Sequence, residues 1–153
     1  MLRIGKLTDY ATVVLAVLAR DPHQHRAATE LAQRTHLPRA TVSKVLKGLQ
    51  RAGLVQSARG SHGGYRLARD PEQITAAQIL DVFEGPIAIT ECASRASDCD
   101  IEQACGVGRA WQRVSALIRA ALEDVTLRQL AGLDQALVHI SRLPGSVRTT
   151  LQR

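Results

Sequence analysis

Several residue types are scarce in this chain of 153 residues, and each scarcity argues against a class of protein. Phe, Trp and Tyr together make up only 3% of the sequence, so the core must be built from aliphatic side chains, which favours helices over a β-sandwich. No run of about 18 apolar residues occurs, which argues against a membrane-spanning helix. The first residues also lack the apolar stretch of a secretory signal peptide, so we expect a cytoplasmic protein.

Cysteine is absent except in one short segment. Cys92, Cys99 and Cys105 all fall within fourteen positions that are poor in large apolar residues. An odd number of cysteines in a reducing compartment argues against a disulfide framework. Thiolates are soft ligands that suit zinc, copper(I) and iron–sulfur clusters. The segment therefore predicts a metal centre, with a metal-free thiol switch as the alternative.

Three thiolates are one ligand short of the four that usually hold a structural zinc or a cluster. No histidine occurs between His62 and His139, so the fourth ligand must be a carboxylate, a distant residue or an exogenous group. Four carboxylates lie in or beside the segment: Glu91, Asp98, Asp100 and Glu102. Each of them also suits a solvated loop. The wide spacing of the thiols favours a labile centre over the close cysteine pairs of structural zinc.

Positive charge is concentrated in the first half of the chain. Residues 1–70 carry 12 Lys and Arg against 4 Asp and Glu, whereas residues 71–153 carry 8 against 10, which accounts for the net charge of +6. Such a basic half is typical of a domain that binds a polyanion, although a merely basic surface would show the same asymmetry.

The basic half has the pattern of a helix-turn-helix. Thr8 is predicted to cap a first helix, with Asp9 in its first turn. A short helix over Thr29–Thr35 is followed by a helix from Pro38 to Ala52, with proline at its first position. The apolar spacing of that last helix predicts a buried stripe of Val42, Val45, Leu46 and Leu49. Its other face is polar and basic, as in a helix that enters the major groove.

A glycine-rich turn over residues 59–64 separates two short extended segments, which predicts a wing after the recognition helix. The turn joins strand to strand and lacks the Lys-Ser/Thr ending of a nucleotide-binding loop. Arg59 at this turn is placed to enter a narrow minor groove. The full set of predicted DNA contacts is Thr29, Arg39, Thr41, Ser43, Lys44, Lys47, Arg59, Ser61 and His62. The alternative is that these side chains form a solvated face.

The second half predicts a helix over Ile74–Phe83, capped by Thr75, and a longer helix after the cysteine segment. Apolar residues recur along the longer helix at spacings of three and four: Val107, Trp111, Val114, Ile118 and Leu122. Such a stripe is typical of a dimer interface, with packing against its own domain as the alternative. A capping box over Thr126–Gln129 predicts one further helical turn. From residue 132 onward we expect a poorly packed tail.

These patterns predict a mainly α fold with a small β wing, a winged helix-turn-helix DNA-binding domain plus a long dimerisation helix. The predicted divisions are 1–70 for the DNA-binding domain, 71–91 for a connecting helix and linker, 92–105 for the cysteine segment, 106–130 for the dimerisation helix and 131–153 for the tail.

The sequence resembles the Rrf-type winged-helix transcriptional regulators over residues 1–130. The resemblance rests on Leu7-Thr-Asp-Tyr-Ala11, on the wing motif from Arg59 to Leu67 and on the cysteine triplet. It implies a homodimer joined through the long helix, a double-stranded DNA operator with two-fold-related halves, and transcription controlled by cluster state. It also implies an iron–sulfur cluster, 2Fe-2S or 4Fe-4S, bound by Cys92, Cys99 and Cys105.

The sequence departs from the family pattern at two positions, one that holds a cluster ligand and one that contacts DNA bases in IscR-like members. Gly108 stands where IscR-like members carry a histidine ligand, whereas Asp9 occupies the place of the aspartate that NsrR-like members contribute from the partner subunit. The alternative for Asp9 is a simple first-turn acid. Ser43 replaces an acidic recognition-helix residue of IscR-like members, so their base preference does not transfer. The first residues most resemble the SUF-system group, which implies iron–sulfur cluster assembly genes as targets.

Other functions remain open at this point. A zinc-binding or metal-independent repressor with thiol-based redox sensing, or a nitric-oxide-sensing regulator, would use the same cysteines. An enzyme is not expected, because no grouping of histidine, carboxylate and nucleophile has a supporting motif. We accordingly expect no small-molecule substrate.

Overall fold

The computed structural model describes residues 3–60, 63–93 and 105–134. No helix in these ranges is long and apolar enough to cross a membrane. The elements follow in the order α1 (Lys6–Ala19), α2 (Ala28–Thr35), α3 (Arg39–Arg51), β1 (Val55–Ala58), β2 (Gly64–Leu67), a 3₁₀ turn (Pro71–Gln73), α4 (Ala76–Phe83), a 3₁₀ turn (Glu91–Ala93), α5 (Gly108–Glu123) and α6 (Leu127–Leu130). The mainly α fold with a two-stranded wing is confirmed.

The core lies between α1 and the helix-turn-helix. Val14, Leu15 and Leu18 on α1 are fully buried, and so is the predicted stripe of α3 that runs from Val42 to Leu49. Burying one such aliphatic side chain contributes about 1.5–3 kcal/mol. Since this stripe faces α1, the polar face of α3 is left towards solvent.

The start of α1 differs from the prediction. The helix begins at Lys6, so Thr8 is buried in its first turn and does not cap it. The Thr8 hydroxyl donates a hydrogen bond to Oε1 of Glu84 at 2.5 Å, and the Gly5 N–H donates to the same oxygen at 3.0 Å. A carboxylate from the end of α4 therefore satisfies an N-terminal donor that a local cap usually satisfies.

Two further helix starts were predicted wrongly by one residue. α2 begins at Ala28, which places Thr29 inside the first turn, and α3 begins at Arg39, which places Pro38 at the capping position. Between them, His36 adopts a left-handed conformation with φ of 56°, which ends α2 and turns the chain into α3. Gly53 has φ of +69° just beyond α3, as expected of a C-terminal glycine.

The wing is attached to the segment between α1 and α2. β1 pairs antiparallel with β2, with Val55 opposite Leu67. On the other side of β2, Arg26 and Tyr65 exchange two backbone hydrogen bonds of 2.9 and 2.8 Å. The Arg26 side chain is 4% exposed and forms ion pairs with carboxylates on both sides, Asp21 and Glu30.

The second half closes back on the core. Thr75 caps α4 and Thr126 caps α6, as predicted. Both form capping boxes, although the sequence predicted a capping box only at Thr126. The segments before these helices pair with each other, because the Leu127 N–H donates to the Ile74 carbonyl at 2.7 Å. Leu133 packs against the core, contrary to the expectation of poor packing from residue 132. Residues 135–153 lie outside the described ranges.

The approach of β2 to Arg26 predicts a difference between two glycine substitutions. A Cβ on Gly64 (φ +140°) would lie 2.6 Å from the Arg26 carbonyl, whereas a Cβ on Gly53 would meet no atom within 4 Å. Backbone strain of this kind costs about 1–3 kcal/mol. Gly64→Ala should therefore lower the free energy of unfolding, measured in urea, by more than Gly53→Ala does. Equal losses of unfolding free energy in the two variants would contradict the close approach of β2 to Arg26.

Candidate DNA interface and cysteine segment

The outward face of α3 carries the predicted base and phosphate contacts. Arg39, Lys44 and Lys47 are exposed, while Thr41 and Ser43 are half-buried beside them. Helical spacing puts Lys44 and Lys47 on the side opposite the buried stripe. Arg51, which the sequence reading did not select, is also exposed and extends the same face by one turn.

The four exposed cations of this face form no ion pair with another residue in the described ranges. Two arginines before this helix are neutralised locally, since Arg26 and Arg34 both pair with Glu30. The positive charge of α3 itself is therefore available to phosphates.

The remaining predicted contacts flank this face. Thr29 is half-buried in the first turn of α2, and Arg59 is exposed directly after β1. Ser61 and His62, predicted at the tip of the wing, lie outside the described residues. A helix that presents cations next to a two-stranded wing can place one element in each groove of a duplex.

Both described ends of the cysteine segment lie beside α5. Cys92 lies in the turn Glu91–Ala93, which packs against α5, and Cys105 precedes the first residue of α5 by three positions. The approach to this turn is fixed because the Ile89 N–H donates to the buried Ser115 hydroxyl at 3.1 Å. The Cys105 thiol is half-buried and forms no disulfide. Cys99 and the Cys92 side chain lie outside the described residues.

The four predicted ligands suit a cluster by their chemistry. Three thiolates supply soft donors, and the Asp9 carboxylate is exposed in the first turn of α1. Across the described ranges, which hold one of the three thiols, no three His, Cys, Asp or Glu side chains come together as a metal site within this single chain. A complete ligand set would therefore need the thiols of Cys92 and Cys99, which lie outside the described residues.

One face of α5 is apolar and exposed. The exposed fractions are 60% for Val107, 43% for Trp111, 37% for Val114 and 50% for Leu117. Ile118 and Leu122, which were predicted to belong to the same stripe, are half-buried. Leu117 was missed because the predicted stripe followed a single line of three- and four-residue steps from Val107.

The adjacent face of α5 is bound to its own domain. Nη1 and Nη2 of Arg119 donate to the two carboxylate oxygens of Asp81 at 3.0 and 2.8 Å, which joins α5 to α4. The hydrogen bond to Asp81 raises the pKa of the Arg119 guanidinium above its ordinary value. Helix α5 therefore packs on its own domain along one side and leaves an apolar side exposed, while the predicted dimer interface stays a prediction.

Comparisons with known proteins identify relatives over most of the chain. The sequence model of the Rrf2 family, described as an iron-dependent transcriptional regulator, matches residues 4–132. The regulator NsrR of Shouchella clausii is 27% identical over 131 residues, covering 84% of this chain and 88% of that protein. The regulator IscR of Vibrio atlanticus is 28% identical over 119 residues, covering 78% and 68%.

CymR of Bacillus subtilis is similar in both sequence and structure. It is 29% identical over 131 residues, covering 85% of this chain and 90% of that protein. Its solved structure, described as that of the global cysteine regulator, matches with a TM-score of 0.68 over 88% of this chain and 100% of the solved one. These relatives are transcriptional regulators and not enzymes. Given a family match over residues 4–132 and the winged helix-turn-helix described above, this chain belongs to the Rrf2 family of DNA-binding transcriptional regulators.

Proposed function

We propose that this regulator is a cytoplasmic homodimer that senses iron–sulfur cluster or redox status and controls genes of iron–sulfur cluster assembly. The carrying observation is the placement of the cysteine segment, which begins and ends beside α5. That same helix exposes an apolar face. A ligand centre at this position would lie next to the surface through which two copies would join.

The DNA-binding step follows from α3 and the wing. Thr41, Ser43 and Lys44 would contact base edges in the major groove, while Arg39 and Lys47 would contact phosphates. Arg59, with Ser61 and His62 shortly after it in the sequence, would approach the neighbouring minor groove. Two such domains related by a two-fold axis would match an operator whose halves are related in the same way.

A second copy of this chain is the proposed occupant of the exposed face of α5. Four large apolar side chains exposed along one face favour burial against a partner over contact with water. A two-fold dimer buries the same patch on both subunits, so one apolar face per chain is sufficient. Joining the α5 helices also brings the cysteine segment of one chain towards the other chain.

The proposed ligands are Cys92, Cys99 and Cys105 of one chain and Asp9 of the partner subunit. Gly108 offers no side chain, so the imidazole ligand of IscR-like members is absent from that position. When bound, an iron–sulfur cluster would supply a redox-sensitive link between these residues. Held together, the ligands would fix the angle between the two recognition helices, and their separation would release that angle and change the half-site spacing that the dimer matches.

A metal-independent regulator is the second candidate. The free, half-buried thiol of Cys105 and the similarity to CymR favour thiol-based sensing without a cluster. A structural zinc or a nitric-oxide response would involve the same three cysteines. All these alternatives retain the DNA-binding domain and differ only in what the cysteine segment binds.

Anaerobic purification separates these candidates. We expect protein prepared without oxygen to absorb visible light and to contain iron and acid-labile sulfide, because three thiolates without a close cysteine pair suit a cluster better than structural zinc. Cys105→Ser should remove most of the iron and sulfide while the fold is retained. Colourless protein that contains zinc or no metal would contradict the cluster.

Asp9→Ala tests the fourth ligand. Removing a carboxylate that ligates across the dimer should leave three protein ligands and shorten the lifetime of the cluster in air, followed as the decay of visible absorption. Glu72→Ala is a suitable control, because this carboxylate is 68% exposed and its ion-pair partner Arg128 keeps a second carboxylate, Asp134. An unchanged lifetime in Asp9→Ala would remove Asp9 from the ligand set and leave it as a first-turn acid.

Lys47→Ala tests the phosphate contact on α3. Binding of a mixed-sequence duplex, measured by fluorescence anisotropy at several salt concentrations, should weaken, and the slope of log affinity against log salt should fall by about one unit per bound subunit. Arg109→Ala changes an exposed cation on α5, outside the DNA-binding domain, and should leave the slope unchanged. Equal effects of the two substitutions would contradict the assignment of α3.

A further inference from the structure

We propose that Glu84 is a positioning residue that couples the cysteine segment to the recognition helix. This inference rests on the proposed function, because it concerns how a change at the cysteine segment reaches the DNA-binding surface. Its basis is the last turn of α4, where three neighbouring residues each contact a different helix: Asp81, Phe83 and Glu84.

Glu84 joins the end of α4 to the start of α1. Its Oε1 accepts hydrogen bonds from the Gly5 N–H at 3.0 Å and from the Thr8 hydroxyl at 2.5 Å. The fit at Gly5 is close, since a Cβ there would lie 2.5 Å from this oxygen. Both donors lie within the four residues before the proposed ligand Asp9, so the position of that carboxylate depends on where Glu84 lies.

Asp81 joins the same turn to α5. Its carboxylate accepts two hydrogen bonds from Arg119, and one turn earlier on α5 the Ser115 hydroxyl accepts the Ile89 N–H at 3.1 Å. These bonds hold the chain on either side of the link between α4 and the cysteine segment. A shift of the cysteine segment relative to α5 would therefore displace the end of α4.

Phe83 joins this turn to the recognition helix. A Cβ on Gly48, in the third turn of α3, would lie only 2.7 Å from Cε1 of Phe83, so the aromatic ring lies directly against the backbone of α3. Close-packed contacts transmit displacement because neither side has room to absorb it. A movement of the last turn of α4 would thus move α3, which carries Lys44 and Lys47.

The inference predicts a loss of coupling without a loss of either binding event. For each variant, DNA affinity is measured anaerobically with and without cluster, on an operator selected from random duplexes by the wild-type protein. The ratio of the two affinities is the coupling, which for linked sites is typically about 5- to 150-fold. Glu84→Ala removes the shared acceptor, so its ratio should fall to about twofold or less while iron content and DNA binding persist.

Two further variants distinguish positioning from general stability. Glu84→Gln keeps an acceptor oxygen for Gly5 and Thr8 and should retain most of the wild-type ratio. Glu72→Ala removes an exposed carboxylate from the 3₁₀ turn before α4 and should retain the ratio fully. If a thermal unfolding experiment shows that Glu84→Ala is not folded, Thr8→Val provides a second test. It removes one of the two donors to Glu84 and should by itself lower the ratio of the two DNA affinities.

The outcomes separate this inference from the function on which it rests. A wild-type protein without cluster, or with equal affinities in both states, would overturn both. A wild-type ratio well above one that Glu84→Ala or Thr8→Val retains would overturn the role of Glu84 and leave the proposed function intact.

Discussion

The burial of α1 is the constraint on which the other elements depend. α1 contacts α2, α3, α4, α6 and β2, and its residues Val14, Leu15 and Leu18 have no exposed surface. Because both halves of the chain pack against this one helix, the DNA-binding domain and the region before the cysteine segment share a core. A core that is close-packed in this way moves as a unit and transmits displacement between its surfaces.

This shared core would allow the proposed sensor and the DNA-binding surface to be coupled within a short chain. α3 shows its basic face to solvent because its apolar face is buried against α1, while α5 packs on α4 and shows an apolar face of its own. The last turn of α4 lies between them and contacts both through Phe83 and Asp81. In the proposed dimer, α5 would lie next to the ligand centre and α3 would bind the operator, so the last turn of α4 would connect the two.

Local sequence patterns predicted the helices and the wing because the residues that determine these elements lie close together in the sequence. The apolar spacing of α3, the two strands of the wing, the Thr75 cap and the Thr126 capping box all depend on residues within a few positions of one another, and each agrees with the structure. The family resemblance, carried by the α1 motif, the wing and the cysteine triplet, is confirmed over residues 4–132.

The missed features depend on tertiary contacts. Thr8 looks like a helix cap, but the carboxylate that determines its role lies 76 residues away in Glu84, so no local pattern could reveal it. Gly48 offered a weak signal, because glycine inside a helix costs about 1 kcal/mol and is usually kept for close packing, here against Phe83. The proposed ligand set includes residues outside the described ranges and a residue of a second subunit, and therefore stays a proposal.

Native mass spectrometry of anaerobically prepared protein tests the central claim most directly, because it measures subunit number and bound metal in one species. The account predicts a dimer whose mass exceeds that of two chains by two iron–sulfur clusters. A monomer, or a dimer that carries only zinc or no inorganic mass, would contradict it.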